Sequence, residues 1–550
     1  MLSIFVGLLL AINVNYAPPV DYEISLAGNF GEPRPNHFHG GIDVKTGGVE
    51  GKHIYSIGDG YVSRITVGLL GFGNAVYVTH PGGQTSVYCH LRSFSPRILM
   101  LLRRWQYAHQ SYLADVRLSP LDCPVSVGQF IAVSGNTGAS QAPHLHLELH
   151  DTRTWNMLDP LSFLGSCVKD GLAPMGHGFM AYPVRGEGTF NTGSAKQTFG
   201  FSSHNLTRRF TAWGKVGFGI WANDYMEATY NRYGVRETIL KVDGSEVFHS
   251  NLTDIPVSSN RMVNSWGDYE HYLHSGVWYM KSFLDPGNTL SVLRTDANRG
   301  IIDFNEERDY HLEYILKDFK GNTSRYTFTV IGQRVKIPVK KIYSQSLLMR
   351  WNKINTYSQP GMQIVIPYGM LADDVELHPT VRQQSSKLSP IYTFYNQSYP
   401  LFNWAEISIS PRRKVENPRK LYIVSHYGVE RYQGGTYHNG WVTGRLRELG
   451  AAYELAYDDT PPVITPIGQT AWNSNHIIKL GLNDTGSGLK HYKGFIDGKF
   501  VLFEDVPKSP WVACRLEETP VARTGKLHHI KFTATDNRNN TKVFESDVRY

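Results

Sequence analysis

The stretch Ala142-Pro143-His144-Leu145-His146-Leu147-Glu148-Leu149-His150 alternates polar and apolar side chains along most of its length. Because successive side chains of a β-strand point to opposite faces, this pattern predicts a strand whose leucines pack in a core. The opposite face then carries His144, His146, Glu148 and His150. Such a row of imidazoles and a carboxylate favours a metal site, and the alternative is a half-buried strand with polar decoration.

Two shorter stretches contain residues of the same kind. In His37-Phe38-His39-Gly40-Gly41-Ile42-Asp43, an imidazole and a carboxylate lie four positions apart, at His39 and Asp43. The glycine pair between them argues against a helix and predicts a tight loop that enters a strand. The stretch Tyr88-Cys89-His90-Leu91 is again strand-like, and its alternation places the imidazole of His90 and the preceding thiol on opposite faces.

These residues fit the chemistry of zinc. A catalytic zinc ion takes three protein ligands from His, Asp or Glu and keeps one position open. His39, Asp43 and one histidine of the pair His144 and His146 meet this requirement. The other histidine of the pair lies about 7 Å along the same strand face, where an imidazole can relay a proton at neutral pH.

Several further pieces occur in a specific order between about residues 29 and 164. They read H-G-G-I-D, I-G-D-G-Y-V, G-F-G-N-A-V-Y-V-T-H, V-Y-C-H-L, V-S-V-G-Q-F-I-A-V-S-G-N-T-G and A-P-H-L-H-L-E. Jointly they are highly specific, and the sequence resembles the lysostaphin/LytM-type zinc metallopeptidases, most of which cut peptide cross-links in bacterial peptidoglycan. Carried over position by position, the resemblance implies one zinc ion held by His39, Asp43 and His146. It also implies that His90 and His144 are the catalytic imidazoles, which orient the water and stabilise the tetrahedral intermediate.

The resemblance implies a zinc-dependent metalloendopeptidase whose substrate is the peptide part of peptidoglycan. One alternative is a non-catalytic envelope-binding protein, or an activator of other wall hydrolases, that retains the peptidase fold. Because every position of the ligand set is retained, the sequence favours the enzyme. A third interpretation is a surface adhesin, since the β-rich C-terminal part occupies more residues than the peptidase-like part. Protein partners that bind through that C-terminal part are possible but not identified by the sequence.

Composition agrees with a large β-rich protein. The chain has 550 residues, of which 41% are hydrophobic and 19% charged, with 52 Gly and 32 Tyr. This balance excludes disorder, collagen and a coiled coil. The net charge of +7 is spread along the chain, which does not favour nucleic acid and suits an anionic polymer. The four Cys are too few and too scattered for a disulfide scaffold, and their disulfide status stays open.

The N-terminus predicts export. Residues 1–11 read M-L-S-I-F-V-G-L-L-L-A, and we expect a signal peptide over residues 1–17 and a periplasmic, envelope or secreted bacterial protein. The alternative is an ordinary buried strand or helix, since no basic residue precedes the apolar run and Pro18 would follow the cleavage site. No later stretch reaches about 18 apolar residues, so we expect no transmembrane span.

The fold class expected is mostly β: an antiparallel β-sheet metallopeptidase domain followed by Ig-like β-sandwich modules. The predicted boundaries are 18–165 for the metallopeptidase domain, 175–338 for an Ig-like module, 339–457 for an unclassified all-β module and 458–550 for a C-terminal Ig-like module. A helical insert at about 95–120 begins with Ser95-Pro96, which is typical of a capped helix. This helix either packs on a sheet or forms a groove wall.

An internal repeat supports two related modules. The segment from His311 through Asp318 to Asn322-Thr323 parallels the segment from His529 through Asp536 to Asn540-Thr541. Upstream of these, Asn223-Asp224 and Val242-Asp243-Gly244 parallel Asn483-Asp484 and Ile496-Asp497-Gly498. Strand and turn patterns in both copies predict β-sandwiches. A linker-like D-D-T-P-P, residues 458–462, opens the second copy.

Overall fold

The computed structural model of the chain describes residues 15–227, 229–339 and 344–550. Nearly all of the predicted signal peptide, residues 1–17, lies outside these ranges. Within them, no helix has the length and apolar character needed to cross a membrane. The described chain is mostly β-structure, so the predicted fold class is confirmed in that respect.

The N-terminal region, residues 18–168, is built on an antiparallel sheet. Its elements are β1 (Leu26–Gly28), β2 (Pro33–Arg34), β3 (His37–Phe38), β4 (Gly41–Lys45), β5 (His53–Tyr55), β6 (Gly60–Val67), β7 (Ala75–Thr79), β8 (Gln84–Cys89), β9 (Ser93–Phe94), α1 (Pro96–His109), β10 (Ala114–Arg117), β11 (Pro124–Val125), β12 (Phe130–Val133), β13 (His144–Asp151), β14 (Met157–Leu158) and α2 (Leu161–Leu164). The sheet runs in the order β1-β4-β13-β8-β7-β6-β10, and β5-β12-β9 form a smaller sheet. Strand β13, whose pattern opened the sequence analysis, therefore lies inside the larger sheet.

The alternation of β13 is confirmed. Leu145, Leu147 and Leu149 are fully buried in the core of the N-terminal region, together with Ile42 and Val44 of the neighbouring strand β4. Burial of apolar side chains on this face contributes about 25 cal/mol per Å² and fixes which face of the strand points outward. The histidines of β13 consequently share the other face.

The insert contains a helix and a strand. Helix α1 begins after Ser95 and buries Ile98 and Leu102 against the sheet. The residues that follow form β10, which pairs with β6 at the edge of the sheet, so the insert is not helical throughout. The helix does pack on a sheet, as one of the two alternatives predicted.

The second region, residues 175–332, forms one continuous sheet. Its elements are β15 (Met175–Phe190), β16 (Gln197–Gly200), β17 (Asn205–Asn223), β18 (Glu237–Val242), β19 (Ser245–Asn251), β20 (Asp254–Ile255), α3 (Val263–Trp266), α4 (Tyr269–Ser275), β21 (Met280–Lys281), β22 (Leu293–Thr295), β23 (Ile302–Phe304), β24 (Asp309–Lys317) and β25 (Thr323–Gly332). The order is β16-β15-β17-β25-β24-β18-β19-β22, in which β17 and β25 are parallel. Strand β20 pairs with β14, which joins this region to the N-terminal sheet.

The third region, residues 348–457, has two sheets around one core. Its strands are β26 (Leu348–Met349), β27 (Asn355–Gln359), β28 (Met362–Ile366), β29 (Val375–Glu376), β30 (Thr380–Arg382), β31 (Ile391–Thr393), β32 (Pro400–Ile409), β33 (Leu421–Tyr427), β34 (Val429–Tyr432), β35 (Thr436–His438), β36 (Trp441–Glu448) and β37 (Ala452–Tyr457). The sheets β27-β28-β32-β36-β35 and β30-β31-β37-β33-β34 share one buried cluster. This segment is all-β, as expected.

The C-terminal region, residues 463–549, also has two sheets. Its elements are β38 (Val463–Pro466), α5 (Trp472–Asn475), β39 (Ile477–Asn483), β40 (Leu489–Ile496), β41 (Lys499–Val501), β42 (Glu504–Asp505), β43 (Trp511–Arg515), β44 (Leu527–Asp536) and β45 (Thr541–Arg549). The sheets β38-β39-β43-β42 and β41-β40-β44-β45 enclose one core. The Ig-like assignment of this region and of the second region stays a prediction.

The repeated Asp-Gly segments form equivalent hairpins in the two regions. In the second region the Asp243-Gly244 turn joins β18 to β19, and Oδ1 of Asp243 accepts a hydrogen bond of 2.9 Å from the backbone N–H of His311. In the C-terminal region Asp497 accepts the equivalent bond, 2.8 Å long, from His529. Both aspartates have positive φ angles, which suits the Asp-Gly turn of a β-hairpin.

The outer face of α1 binds the C-terminal region. Arg103 of the helix forms ion pairs with Glu504 and Glu518, and the ring of Tyr107 meets that of Phe500 edge-on. The insert thus packs on its own sheet with one face and on the end of the chain with the other.

We predict that Arg103→Glu loosens this contact, because it replaces attraction with repulsion from two carboxylates. Surface ion pairs are each worth at most about 1 kcal/mol, so the chain should stay folded while the contact opens. Hydrogen–deuterium exchange should accelerate in residues 96–109 and 499–518. The control is Arg104→Glu on the exposed side of the same helix, and equal exchange in both variants would contradict the prediction.

Candidate metal centre

The register of β13 brings the predicted ligands together. His146 lies directly opposite Asp43 in the pairing of β13 with β4. On its other side, His146 lies opposite Cys89 of β8, and His90 follows immediately. Gly41 permits the close approach of β4, because a Cβ there would lie 2.1 Å from the carbonyl oxygen of Leu147. The loop predicted before β4 is therefore shaped by its glycines.

Three donor atoms converge on one point of the sheet. Nε2 of His39 lies 3.0 Å from Oδ1 of Asp43 and 3.0 Å from Nδ1 of His146. Nδ1 of His146 lies 2.8 Å from the same oxygen of Asp43. All three residues are at most 6% exposed, so this is a buried polar cluster rather than a surface one. The predicted metal set is thus brought together, and its binding of an ion stays a prediction.

Hydrogen bonds to one nitrogen of each of the His39 and His146 rings determine which ring nitrogens face the point where the three donor atoms converge. Nδ1 of His39 lies 2.6 Å from the carbonyl oxygen of Asn29, and Nε2 of His146 lies 3.0 Å from Oε1 of Glu148. Both partners are acceptors, so in neutral rings these nitrogens carry the hydrogens and the other two nitrogens present lone pairs. Two such lone pairs beside the oxygen of Asp43 repel one another unless a cation lies between them. The donor types are those of a catalytic zinc, and the residues therefore fit that ion.

The pKa values reflect the same crowding. Burial lowers the pKa of His39 to about 4. Burial also disfavours the charged form of His146, but its hydrogen bonds to Asp43 and Glu148 outweigh this and raise its pKa to about 9. Burial opposes ionisation of Asp43, and the neighbouring histidines, first His39, hold its pKa well below the usual range all the same. The cluster thus holds a negative charge that attracts a proton or a metal ion.

A chain of polar contacts lies behind His146, on the side away from Asp43 and His39. Glu148 accepts from Nε2 of His146 with one oxygen and lies 2.6 Å from Nε2 of His150 with the other. The ring of His150 stacks on Trp155 with centroids 4.4 Å apart. Carboxylates behind a metal-binding histidine fix its ring and tautomer. Glu148 is only 5% exposed, so its carboxylate is not solvated.

His90 and His144 lie beside the cluster. The centroids of their rings are 5.0 Å apart, and the ring of His90 is 5.7 Å from that of His146. Nε2 of His144 lies 3.3 Å from Oδ1 of Asp43. Burial, together with the nearby histidines, lowers the pKa of His90 to about 3, so its imidazole is neutral at physiological pH. The structure therefore brings all five predicted residues into one site, and their individual roles stay predictions.

Backbone carbonyls orient both of these rings. Nδ1 of His90 lies 2.9 Å from the carbonyl oxygen of Thr137, and Nδ1 of His144 lies 2.8 Å from that of Ala142. In neutral rings Nδ1 is therefore the protonated nitrogen, and Nε2 is free to accept a proton. His90 has a φ of +62°, a conformation that is unusual for a residue with a side chain and is typical of functional positions.

Thr137 connects the glycine-rich turns around His90. Its hydroxyl accepts a bond of 3.0 Å from the backbone N–H of Asn74 and donates one of 3.0 Å to the carbonyl of Leu91. Gly138 has a φ of +68°, and a Cβ there would lie 2.4 Å from the backbone nitrogen of Gly73. The G-F-G-N and S-G-N-T-G motifs are therefore two turns packed against each other, and together they hold His90.

Sequence reasoning missed some residues of the site. Arg34 donates a hydrogen bond of 2.8 Å to Oδ2 of Asp43, which leaves Oδ1 to face the histidines. Asn29 holds Nδ1 of His39, while its side chain exchanges two hydrogen bonds with the backbone of Gly234 in the second region. No periodic pattern marks these residues, since Arg34 reaches Asp43 across 9 positions and Asn29 reaches Gly234 across 205. For Arg34, the only signal was its position shortly before the H-G-G-I-D motif.

Comparisons with known proteins match parts of the chain rather than its whole length. A family model described as a Zu5-like domain matches residues 346–458. No curated protein matches the chain.

Similar solved structures include bacterial peptidases. The chain is 21% identical to the catalytic domain of the prophage-encoded M23 protein EnpA from Enterococcus faecalis, with a TM-score of 0.20, over 26% of this chain and 95% of that one. It is 22% identical to the catalytic domain of the antimicrobial peptidase lysostaphin from Staphylococcus simulans, with a TM-score of 0.20, over 26% and 92%. It is also 20% identical to a chain of the SpoIIQ–SpoIIIAH pore-forming complex, with a TM-score of 0.21, over 27% and 90%. The chain is thus similar to these peptidase domains over about a quarter of its length.

We predict that Glu148→Gln weakens zinc binding about 10–100-fold without abolishing it, because the amide cannot hold the rings of His146 and His150 as a carboxylate does. Competition with a chelator of known zinc affinity measures this effect. Glu50→Gln, on the exposed surface of the same region, serves as the control and should bind zinc like the wild type. Unchanged affinity in Glu148→Gln would show that the carboxylate does not support a metal ligand.

Proposed function

We propose that this protein is a zinc-dependent metalloendopeptidase that hydrolyses peptide cross-links in bacterial peptidoglycan. The observation that carries the proposal is the convergence of His39, Asp43 and His146 beside the rings of His90 and His144. A buried cluster of this composition is costly to the fold unless a cation compensates it. In the proposal His39, Asp43 and His146 bind one zinc ion.

When bound, zinc supplies a Lewis acid that polarises a carbonyl group and makes a water molecule acidic enough to attack at neutral pH. The chain's own residues then handle the proton. His144 lies 3.3 Å from Asp43 and exposes about a fifth of its side chain, so it can reach both the cluster and solvent. We assign His144 the acceptance of a proton at Nε2, because its Nδ1 is held by Ala142.

His90 is more deeply buried than His144. Its neutral Nε2 orients the attacking water by accepting a hydrogen bond. The proton that the water loses goes to His144, whose Nε2–H then donates to the oxyanion that develops on the scissile carbonyl, a type of contact that contributes several kcal/mol in hydrolases. The bond from Nδ1 of His90 to the carbonyl oxygen of Thr137 keeps the His90 ring in place throughout.

The substrate class and the location are part of the proposal. The motif resemblance favours the peptides of peptidoglycan, and the net charge of +7 suits an anionic wall polymer. Export is expected from residues 1–17. A non-catalytic envelope-binding protein or activator with the same fold is the competing function, and retention of all five site residues favours the enzyme.

We predict that the purified protein contains zinc and releases peptide fragments from purified sacculi. His146→Ala should lose both zinc and activity, because it removes one of the ligands. His144→Ala should keep zinc and lose about 10²–10⁴-fold in turnover, the usual contribution of a general acid or base. Zinc content by plasma mass spectrometry and fragment release by chromatography measure these effects.

The control for both variants is His53→Ala, which removes an exposed imidazole of the same region. A wild type that binds sacculi without releasing peptides would support the binding or activator function instead. A wild type without zinc, or histidine variants as active as His53→Ala, would refute the enzymatic proposal.

We predict that Thr137→Val lowers kcat about tenfold and leaves zinc content and KM unchanged. The valine leaves the buried N–H of Asn74 without an acceptor, a loss of about 1–3 kcal/mol that allows the turn holding His90 to shift. Thr137→Ser keeps the hydroxyl and should restore activity. Equal activity in the valine variant, or equal losses in both variants, would exclude this positioning role.

A further inference from the structure

Three aspartates from distant parts of the chain meet at the junction of the N-terminal and second regions. Asp170 belongs to the connection between these regions, Asp224 follows β17, and Asp318 follows β24. One ligand oxygen from each lies within 4.8 Å of the others. Asp224 and Asp318 are buried, at 1% and 4% exposure, and Asp170 is half-buried. This cluster belongs to no part of the proposed zinc site.

Two of these carboxylates each have one buried oxygen without a hydrogen-bond partner. Oδ1 of Asp224 has essentially no contact with solvent and accepts no hydrogen bond, and the same holds for Oδ2 of Asp170. A buried acceptor without a partner costs about 1–3 kcal/mol, and more when it is charged. The backbone of Asp224 is held by two bonds of 3.0 Å to Tyr233, so the chain keeps the carboxylate where it cannot be hydrated.

No neighbouring cation compensates the cluster. Among residues 15–227, 229–339 and 344–550, no Lys, Arg or His forms an ion pair with any of the three aspartates. Burial, and then repulsion from the other two aspartates, raises the pKa of Asp224 to about 8. Burial also raises that of Asp170 to about 7, and Asp318 and Glu227 contribute further negative charge. The geometry and the charge both point to a missing positive partner.

The same arrangement recurs in the other copy of the repeat. Asp458, Asp484 and Asp536 also bring one oxygen each within 4.8 Å, at the entrance to the C-terminal region. Nδ2 of Asn540 donates to the carbonyl oxygen of Asp458 at 2.9 Å and to Oδ2 of Asp536 at 2.7 Å.

In the first copy, Nδ2 of Asn322 donates to the carbonyl oxygen of Asp170 at 3.4 Å and to Oδ2 of Asp318 at 2.6 Å. The matching amide therefore connects the linker to the turn in both copies. Because the same set of three aspartates and one asparagine recurs at two separate junctions, the arrangement belongs to the repeated module and is not a chance grouping of acidic residues.

We propose that Asp170, Asp224 and Asp318 bind one Ca²⁺ ion, which fastens the second region to the linker that follows the N-terminal region. An all-oxygen set selects a hard cation over zinc. Ca²⁺ tolerates the irregular geometry of three carboxylates from separate segments, whereas Mg²⁺ requires near-ideal octahedral ligands. The proposal is independent of the zinc site and of catalysis.

Calorimetry and thermal unfolding test the proposal on the full chain. The protein is stripped on a chelating resin, reloaded with one equivalent of zinc and titrated with CaCl₂. Extracellular modules bind Ca²⁺ with a Kd of about 10⁻⁴–10⁻³ M, so about 5 mM CaCl₂ is close to saturating and should raise the unfolding temperature by about 3–5 °C. Asp224→Asn should bind one Ca²⁺ fewer than the wild type and lose part or all of this shift.

Without Ca²⁺, Asp224→Asn should unfold at the same temperature as the wild type or higher, because it removes a buried charge. A purely structural aspartate would instead give lower stability in both conditions. Asp303→Asn, on an exposed part of the same region, is the matched control and should respond to Ca²⁺ like the wild type. Should Asp224→Asn fail to fold, Asp170→Asn replaces it. A wild type that neither binds Ca²⁺ nor is stabilised by it, or variants that titrate like the wild type, would overturn the proposal.

Discussion

The pairing of β13 with both of its neighbours is the constraint on which the site depends. It places His146 opposite Asp43 on one side and opposite Cys89, the residue before His90, on the other. A slip of one residue would turn the histidines into the core and the leucines out of it, since side chains alternate between faces. The fully buried leucines therefore hold the register, and the register in turn assembles the polar cluster.

The ligand loop also depends on the second region. The carbonyl oxygen of Asn29 holds the ring of His39, while the side chain of Asn29 is bound on both sides by Gly234. The backbone N–H of Phe38 donates to the side chain of Asn260, which extends the contact along the loop. A polar inter-region boundary can position a side chain only while both regions stay together. The β-rich part of the chain thus contributes to the site as well as extending the molecule.

The sequence predicted the parts of the molecule that have a local pattern. Alternation identified β13 and its two faces, the glycines identified the loop before β4, and motif order brought His90 into the same site. Contacts between distant segments could not be predicted in this way. Arg103 meets Glu504 across 401 positions, and neither residue differs from an ordinary surface charge until the chain is folded. The repeat predicted related hairpins, but not that Asp170 of the linker completes a cluster with two of its aspartates.

The cluster on β13 and the three aspartates at the junction both bring buried acceptor atoms together, but the acceptor atoms differ. In the first, nitrogen and oxygen atoms lie 2.8–3.0 Å apart, and in the second, one oxygen from each of three aspartates lies within 4.8 Å of the others. Imidazole nitrogens with one carboxylate suit a borderline-soft ion that can keep an open coordination position for chemistry. Carboxylates alone suit a hard ion that takes many oxygen ligands and tolerates irregular geometry, which is useful for joining segments rather than for catalysis. Donor chemistry therefore separates the proposed reactive centre on β13 from the proposed structural site at the junction, although both contain buried aspartates.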